Sequence, residues 1–344
     1  MDASRAILGW DIGGVNIKAA LLECNCGVTA IRTSCTPFQM QHRSHALAPT
    51  LTQVAQGLNA TGAEAHAVTM TAELSQAFRT KREGVAFILD ALLTAFPRAR
   101  LHVFTVDGHF VQPADALLIP LKVGASNWAA TARFVASRHP TCILIDIGTT
   151  SSDIVPIVDG KPVAEGSTDP ERLLSGELVY TGALRTPAEA VTAELPLWGG
   201  MAGISADGFA LIGDAHLWSG RLSAEDYTCP TTDGRPATRE FAGERLARTV
   251  CGDREMLDDS AIDSLAEALA DAQLQSLVAA LTRVQSRWPH ITESVVTGLG
   301  DFIATDASRA AGLTPIPLSH LLGEAARTAP ATAAAWLLCD SMDR

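Results

Sequence analysis

Apolar and polar positions follow the same short pattern twice along the chain. The first copy reads Ile7-Leu8-Gly9-Trp10-Asp11-Ile12-Gly13-Gly14-Val15-Asn16-Ile17-Lys18-Ala19. The second reads Cys142-Ile143-Leu144-Ile145-Asp146-Ile147-Gly148-Thr149-Thr150-Ser151-Ser152-Asp153-Ile154. Each is an apolar run that ends in Asp-Ile-Gly, passes small polar residues and returns to apolar positions. Each then meets a turn signal, Asn25-Cys26-Gly27 in one and Asp159-Gly160 in the other. Strand, glycine turn, second strand and Asn/Asp-Gly turn predict a β-hairpin leading into further sheet. Two copies imply a duplicated α/β lobe with a cleft between the halves.

Between and after the copies the pattern is mostly helical. Residues 46–58 and 81–96 read as helices, the second with Val85, Ile88, Leu89, Leu92 and Leu93 at helical spacing. Residues 101–106 and 116–123 read as strands, and 127–137 as a helix closed by His139-Pro140. From 187 to 258 the periodicity weakens, which predicts an irregular insertion with short helices around 207–218 and 238–250. Residues 258–287 predict a long amphipathic helix, continuous or broken once, capped by Asp259 or Ser260 and followed by Pro289. A short strand at 292–297 runs into Gly298-Leu299-Gly300-Asp301, and an Ala-rich helix at 325–339 closes the chain. The expected division is a lobe at 1–139 and a lobe at 140–344, the last helix packing back on the first.

Composition narrows the function. The chain has 344 residues, 47% hydrophobic, and 38 acidic against 26 basic side chains, a formal net charge of −12. That balance argues against nucleic acid or an anionic membrane as the partner. Ten Phe, six Trp and two Tyr leave little for a base-stacking platform. No run approaches the roughly 18 uninterrupted apolar residues of a membrane span. Met1 to Arg5 carry no basic region leading into a cleavable apolar stretch, and seven cysteines do not form a disulfide framework. These features predict a cytoplasmic protein acting on small molecules, with a homo-oligomer possible.

The two Asp-Ile-Gly turns are the strongest chemical signal. A glycine directly after a strand lets the backbone approach an anion, and the amides beyond it can form a nest for phosphate oxygens. In this reading Gly13, Gly14 and Asn16 serve one copy, and Gly148, Thr149, Thr150 and Ser151 the other. Asp11 and Asp146 end their strands, and two carboxylates with phosphate between them suit Mg²⁺. Lys18 in one copy is replaced by Asp153 in the other, so the halves are not equivalent. Lys18 can neutralise a leaving phosphate, while Asp146 or Asp153 can act as base or metal ligand. The alternative is that each Asp only caps its hairpin. Gly298, Gly300 and Asp301 form a turn that either admits a flat ligand such as a nucleoside or only links strand to helix. Glu73 and Lys81 can meet as a substrate-binding pair, or stand as solvated surface; Asp107-Gly108-His109 and Asn127-Trp128 are polar punctuation nearby. Cys24 and Cys26 are spaced too closely for a zinc site, and His109 and His216 are the histidines to follow.

These residues resemble a known superfamily. Asp11–Lys18, Asp146–Asp153 and Gly298–Asp301 are similar to the phosphate-1, phosphate-2 and adenosine motifs of the actin/sugar-kinase/heat-shock-chaperone superfamily. More narrowly, Thr69-Met70-Thr71-Ala72-Glu73-Leu74, Lys81-Arg82-Glu83-Gly84-Val85 and the second Asp-Ile-Gly run resemble hydantoinase A/oxoprolinase-type proteins. Thr232-Asp233-Gly234-Arg235-Pro236 and Glu244-Arg245-Leu246-Ala247-Arg248 resemble a branch of that group linked to tetrahydromethanopterin-dependent one-carbon transfer, where methanofuran is built. The resemblance implies duplicated ribonuclease-H-like (actin-like ATPase) α/β lobes. It also implies a diphosphate-displacing transferase that joins a furan methanol diphosphate to a phenolic glutamyl amine. Its phosphate motifs would hold the substrate's own diphosphate. An ATP-dependent amidohydrolase or kinase, and a non-catalytic nucleotide-binding assembly factor, stay open as alternatives.

Overall fold

The computed structural model describes residues 5–25 and 27–342. Cys26, part of the expected turn at 25–27 and of the Cys24/Cys26 spacing, lies outside the described residues, as do Met1 to Ser4. The chain forms two compact units. One comprises Met1–Leu144, Val155–Ser175 and Pro317–Arg344; the other comprises Ile145–Ile154 and Gly176–Ile316.

The first unit is built on a six-stranded sheet. Strands β1 (Arg5–Ile12), β2 (Asn16–Cys24) and β3 (Val28–Pro37) form an antiparallel meander. Strand β4 (Ala65–Met70) runs parallel to β1, and β5 (Arg100–Phe104) parallel to β4. The two-residue β6 (Phe110–Val111) closes the order β3-β2-β1-β4-β5-β6. β1 and β4 are buried almost throughout, as continuous apolar runs in central strands require. The Ala329–Met342 helix packs on β1, β2 and β4. Its small residues permit a close approach, and a Cβ at Gly9 would run into the carbonyl of Ala331.

The expected helices at 46–58, 81–96 and 127–137 form at Leu47–Gly57, Lys81–Ala95 and Asn127–Ala136. Thr80 caps the second, accepting from the Glu83 amide at 3.1 Å. Val85, Ile88, Leu89 and Leu92 form its buried stripe, whereas Leu93 falls beyond the edge of that stripe and is half exposed. The strand expected at 116–123 does not form. Two short helices, Pro113–Ala116 and Pro120–Val123, stand there, each started by a proline whose fixed φ suits the first helical turn. Ala116 and Val123 are buried while Leu117, Leu118 and Leu121 are exposed, which is no strand alternation.

The second sheet has the order β10-β8-β7-β13-β14. Its strands are β7 (Cys142–Ile147), β8 (Ser152–Val158), β10 (Leu178–Val179), β13 (Glu293–Gly298) and β14 (Thr314–Pro317); β9 (Lys161–Pro162) pairs with β8. The turn into β9 places Asp159 at φ 51° and Gly160 at φ 74°, as an Asp-Gly hairpin turn requires. In the 187–258 region the two short helices expected around 207–218 and 238–250 form, at Ile212–Trp218 and Arg239–Arg248. A hairpin that the sequence reading did not include, β11 (Glu194–Leu197) with β12 (Gly200–Gly203), stands beside them. Leu195, Ile212, Trp218 and Leu246 pack with Ile262, Leu265 and Leu269 of the long helix in one apolar cluster. That helix runs unbroken from Asp259 to Ser286, and its cap is Asp258, one residue earlier than expected, accepting from the Ala261 amide at 2.9 Å. Among the described residues no helix is long and apolar enough to cross a membrane.

Candidate active site

In the first unit, β1 and β2 are joined by Gly13–Val15, and the Gly13 amide donates to the Asn16 carbonyl at 3.0 Å. Hairpin register sets Asp11 directly opposite Lys18. The Lys18 ammonium lies 3.8 Å from Asp11 Oδ2, with Asp11 buried and Lys18 reaching partly into solvent. A Cβ at Gly13 would stand 2.7 Å from the Asn16 carbonyl, so this position must be bare, while Gly14 faces open space. The Thr71 amide donates to the Ile12 carbonyl at 3.0 Å, so the segment after β4 lies beside this loop.

The second unit repeats the device. The Gly148 amide donates to the Ser151 carbonyl at 2.9 Å, the bond equivalent to that between Gly13 and Asn16. Asp146 and Asp153 are buried on either side of the turn, with Asp153 opposite Leu178 of β10. The structure brings the Gly298 turn to the same place: a Cβ at Gly298 would meet Asp146 Oδ1 at 2.5 Å, and the Gly300 amide donates to Ile147 at 2.9 Å. Gly298 adopts φ 95°, which a side chain would resist. Asp301 then opens the Asp301–Ala310 helix.

One partner of this loop escapes sequence reading. A Cβ at Gly182 would lie 2.6 Å from the Thr150 nitrogen, so the 181–185 segment presses directly on the turn. Ala183 donates to the Gly148 carbonyl at 2.9 Å, and Leu184 and Arg185 donate to that of Thr149 at 3.2 and 2.9 Å. Ser152 Oγ donates to the Thr181 carbonyl at 2.6 Å. His216, one of the two histidines singled out, is buried against Gln273 rather than aimed at a ligand, their Nε2 and Oε1 atoms 2.8 Å apart. Burial holds its pKa down to about 4. His109 merely closes the turn at Gly108, its amide donating to Thr105 Oγ1 at 3.1 Å.

Glu73 and Lys81 meet in the first unit. Lys81 Nζ lies 3.3 Å from Glu73 Oε1 and 2.6 Å from Asp169 Oδ2, a third member with no local sequence signal. Glu73 is wholly buried, wedged where Gly84 and Gly124 leave room for it; a Cβ at Gly84 would come 2.6 Å from the Glu73 Cα. Burial raises the Glu73 carboxyl from its ordinary 4.5 to about 7 in spite of Lys81. Burial opposes the charge on Lys81 as well, yet Glu73 and Asp169 together keep its pKa above the usual value. Trp128 carries the Arg172 guanidinium 4.1 Å above its ring. Among the described residues no three His, Cys, Asp or Glu side chains cluster to hold a metal. The carboxylate oxygens of Asp11 in the first unit and of Asp146 in the second are hard donors, the type that fits Mg²⁺, which keeps several waters.

The model of the hydantoinase/oxoprolinase family matches residues 64–340. The chain belongs to that family. It is 36% identical over 303 residues, 88% of either chain, to the (4-{4-[2-(γ-L-glutamylamino)ethyl]phenoxymethyl}furan-2-yl)methanamine synthase of Methanocaldococcus jannaschii. The protein of the same name from Methanococcus vannielii is 33% identical over 177 residues, 51% of this chain and 79% of that relative. Among solved structures, nucleotide-free acetone carboxylase gives a TM-score of 0.60 at 11% identity, covering 97% of this chain and 70% of that one. A ROK family glucokinase from Streptomyces griseus, in complex with glucose and AMPPNP, gives 0.50 at 13%, covering 96% and 98%. These likenesses show the fold, that of actin-like ATPases and sugar kinases.

Within this hydantoinase/oxoprolinase chain, the two late motifs meet through Arg245 of 244–248, which is fully buried and reaches Asp233 of the exposed 232–236 segment. Arg245 donates to Asp214 Oδ1 from Nε at 3.0 Å and Nη2 at 2.7 Å, and to Asp233 Oδ1 from Nη1 at 3.2 Å. Tyr227 donates its hydroxyl to the same Asp214 oxygen at 3.1 Å. Arg235 pairs with Glu244 nearer the surface. These bonds all run between residues of the 187–258 region.

Proposed function

We propose that the chain is a transferase of methanofuran-type cofactor synthesis. It joins an aminomethyl-furan methanol diphosphate to the phenol of a γ-glutamyl-tyramine or γ-glutamyl-tyrosine and releases diphosphate. The observation that carries this reading is the 36% identity, over 88% of both chains, to a protein named as a synthase of that furan ether. The chemistry of the two hairpin loops supports it, since both offer tight glycine turns beside a strand-end carboxylate.

In this reaction the phenolic oxygen forms a bond to the furan methylene carbon as the carbon–oxygen bond to diphosphate breaks. The electron pair leaves with the diphosphate. We assign Gly13, Gly14 and Asn16, and Gly148, Thr149, Thr150 and Ser151, to holding the diphosphate. Lys18 is assigned to the charge that develops on the leaving group, where a fixed cation acts most strongly. Asp146 or Asp153 takes the phenolic proton; both are buried beside the second loop. Glu73, Lys81, Gly298, Gly300 and Asp301 are assigned to the organic parts of the substrates. Asp11 and Asp146 would hold Mg²⁺, which supplies further charge neutralisation when bound. We assign the reaction to the cytoplasm.

The test is diphosphate release from the purified protein with Mg²⁺, the furan methanol diphosphate and γ-glutamyltyramine, without ATP. Diphosphate together with the ether, identified by mass spectrometry, is the expected result. Phosphate that appears only when ATP is added would overturn it in favour of an ATP-dependent enzyme.

A further inference from the structure

The second hairpin loop is held from behind by a buried polar chain that does no chemistry in the proposed reaction. Its centre is Gln273, in the middle of the Asp259–Ser286 helix and buried among inward-facing leucines such as Leu269 and Leu277. A carboxamide in such a place is costly unless its groups are bonded. Here they are. Nε2 donates to Thr181 Oγ1 at 2.9 Å and to the Gly182 carbonyl at 2.8 Å. With its donors turned to oxygens, Gln273 presents Oε1 to His216 Nε2 at 2.8 Å, so the imidazole carries its proton on Nε2. Thr181 is tied further by a 3.0 Å contact between its hydroxyl and that of Thr186, and the Gly182 amide donates to Thr186 Oγ1 at 3.1 Å. The segment so fixed is the one that presses on Gly148, Thr149 and Thr150.

We propose that Gln273, oriented by His216, is a positioning residue for the phosphate-binding loop. It fixes Thr181 and Gly182, and through them the turn at Gly148–Ser151, before the anion arrives. The assignment rests on reading that turn as a diphosphate site. Directional bonds explain why an amide stands where a leucine would satisfy the core: an apolar contact fills space but does not set the rotation of a carbonyl. A preset loop needs little reorganisation when charge enters it.

Two variants of the full chain test this. Gln273→Glu keeps the shape but replaces the donor pair facing Thr181 and Gly182 with an acceptor. The double variant Gln273→Met/His216→Leu removes the imidazole together with the amide, so no imidazole is stranded, and it takes from the Gly182 carbonyl the one donor under test. Three quantities are read: amide hydrogen exchange at 149–152, the Kd for inorganic diphosphate with Mg²⁺, and the thermal midpoint. For the double variant, exchange at 149–152 is expected to quicken at least tenfold and diphosphate binding to weaken at least tenfold. Exchange in the Arg239–Arg248 helix should stay as in the wild type. Unchanged loop exchange with binding within twofold of wild type, in both variants, would reduce Gln273 to core filling. If the wild-type chain itself does not bind diphosphate, the reading of the site fails, while the exchange comparison still decides whether Gln273 sets the loop.

Discussion

Arg245 turns two of its nitrogens, Nε and Nη2, onto a single oxygen of Asp214, and neither side chain has any solvent exposure. Burial alone would drive the Asp214 proton back on, and its pKa stands above the usual carboxylate value even with Arg245 beside it. Replacing Arg245 by Leu strands that carboxyl, and breaking a buried pair from one side costs about 3–5 kcal/mol. The paired change Arg245→Leu/Asp214→Leu is expected to regain a large part of the loss. Urea midpoints of the two single variants and the double variant check it; a double variant no more stable than either single one would deny the coupling.

A methyl group at position 182 tests the second loop from its back. Gly182→Ala sets a carbon 2.6 Å from the Thr150 nitrogen and 2.7 Å from the Gly148 carbonyl oxygen, so the turn must shift. Overpacking of this kind costs about 1–3 kcal/mol, small enough for the chain to stay folded. Diphosphate release is expected to fall at least tenfold while the circular dichroism spectrum is kept. Full activity in a folded Gly182→Ala protein would show that the loop does not need its present shape.

Much of this was legible in the sequence, and the reasons differ by residue. The duplicated Asp-Ile-Gly turns were visible because hairpin geometry requires glycine next to a strand end, and the requirement repeats. The helices at 81–95 and 259–286 were visible because a buried stripe repeats every three to four residues. The strand expected at 116–123 failed because a short apolar run has no period of its own, and Pro113 and Pro120 decided the backbone instead. Asp169 joins Lys81 across 88 positions, a pairing no local pattern can announce. Gly182 needs its bareness for a neighbour 32 residues before it in the chain, about which the sequence is silent. Gln273 did leave a trace: it is a polar residue at an inward position between Leu269 and Leu277.

The charge roles assigned to the two hairpins are tested by Lys18→Ala and Asp146→Asn. Either change is expected to slow diphosphate release at least tenfold, about 1.4 kcal/mol or more in the barrier. Lys18→Ala is expected to stay folded, because its pair with Asp11 is 3.8 Å long and Lys18 is partly solvated. Turnover within threefold of wild type in either variant would remove that residue from the mechanism.

Glu73 gives a test in which the sign alone decides. Burial raises its carboxyl from 4.5 to about 7, so the folded chain binds a proton that the unfolded chain has already released across that window. The Glu73 contribution to stability is therefore fully present below pH 4.5 and falls as pH rises to about 7, by at most about 1.4 kcal/mol per pH unit. Above 7 both states are ionised and the slope vanishes. Lys81 stays charged throughout, its pKa lying above 10.5 in the folded chain, and adds no slope there. His66 and His216 do titrate between 6.5 and about 4, with the opposite sign, but they are present in both wild type and Glu73→Gln and cancel in the difference. Urea unfolding of both proteins from pH 4.5 to 8 should show the wild type losing ground to Glu73→Gln as pH rises, with no further change above about 7. An ordinary salt bridge, in which Lys81 held the carboxyl below 4.5, would make the wild type gain instead.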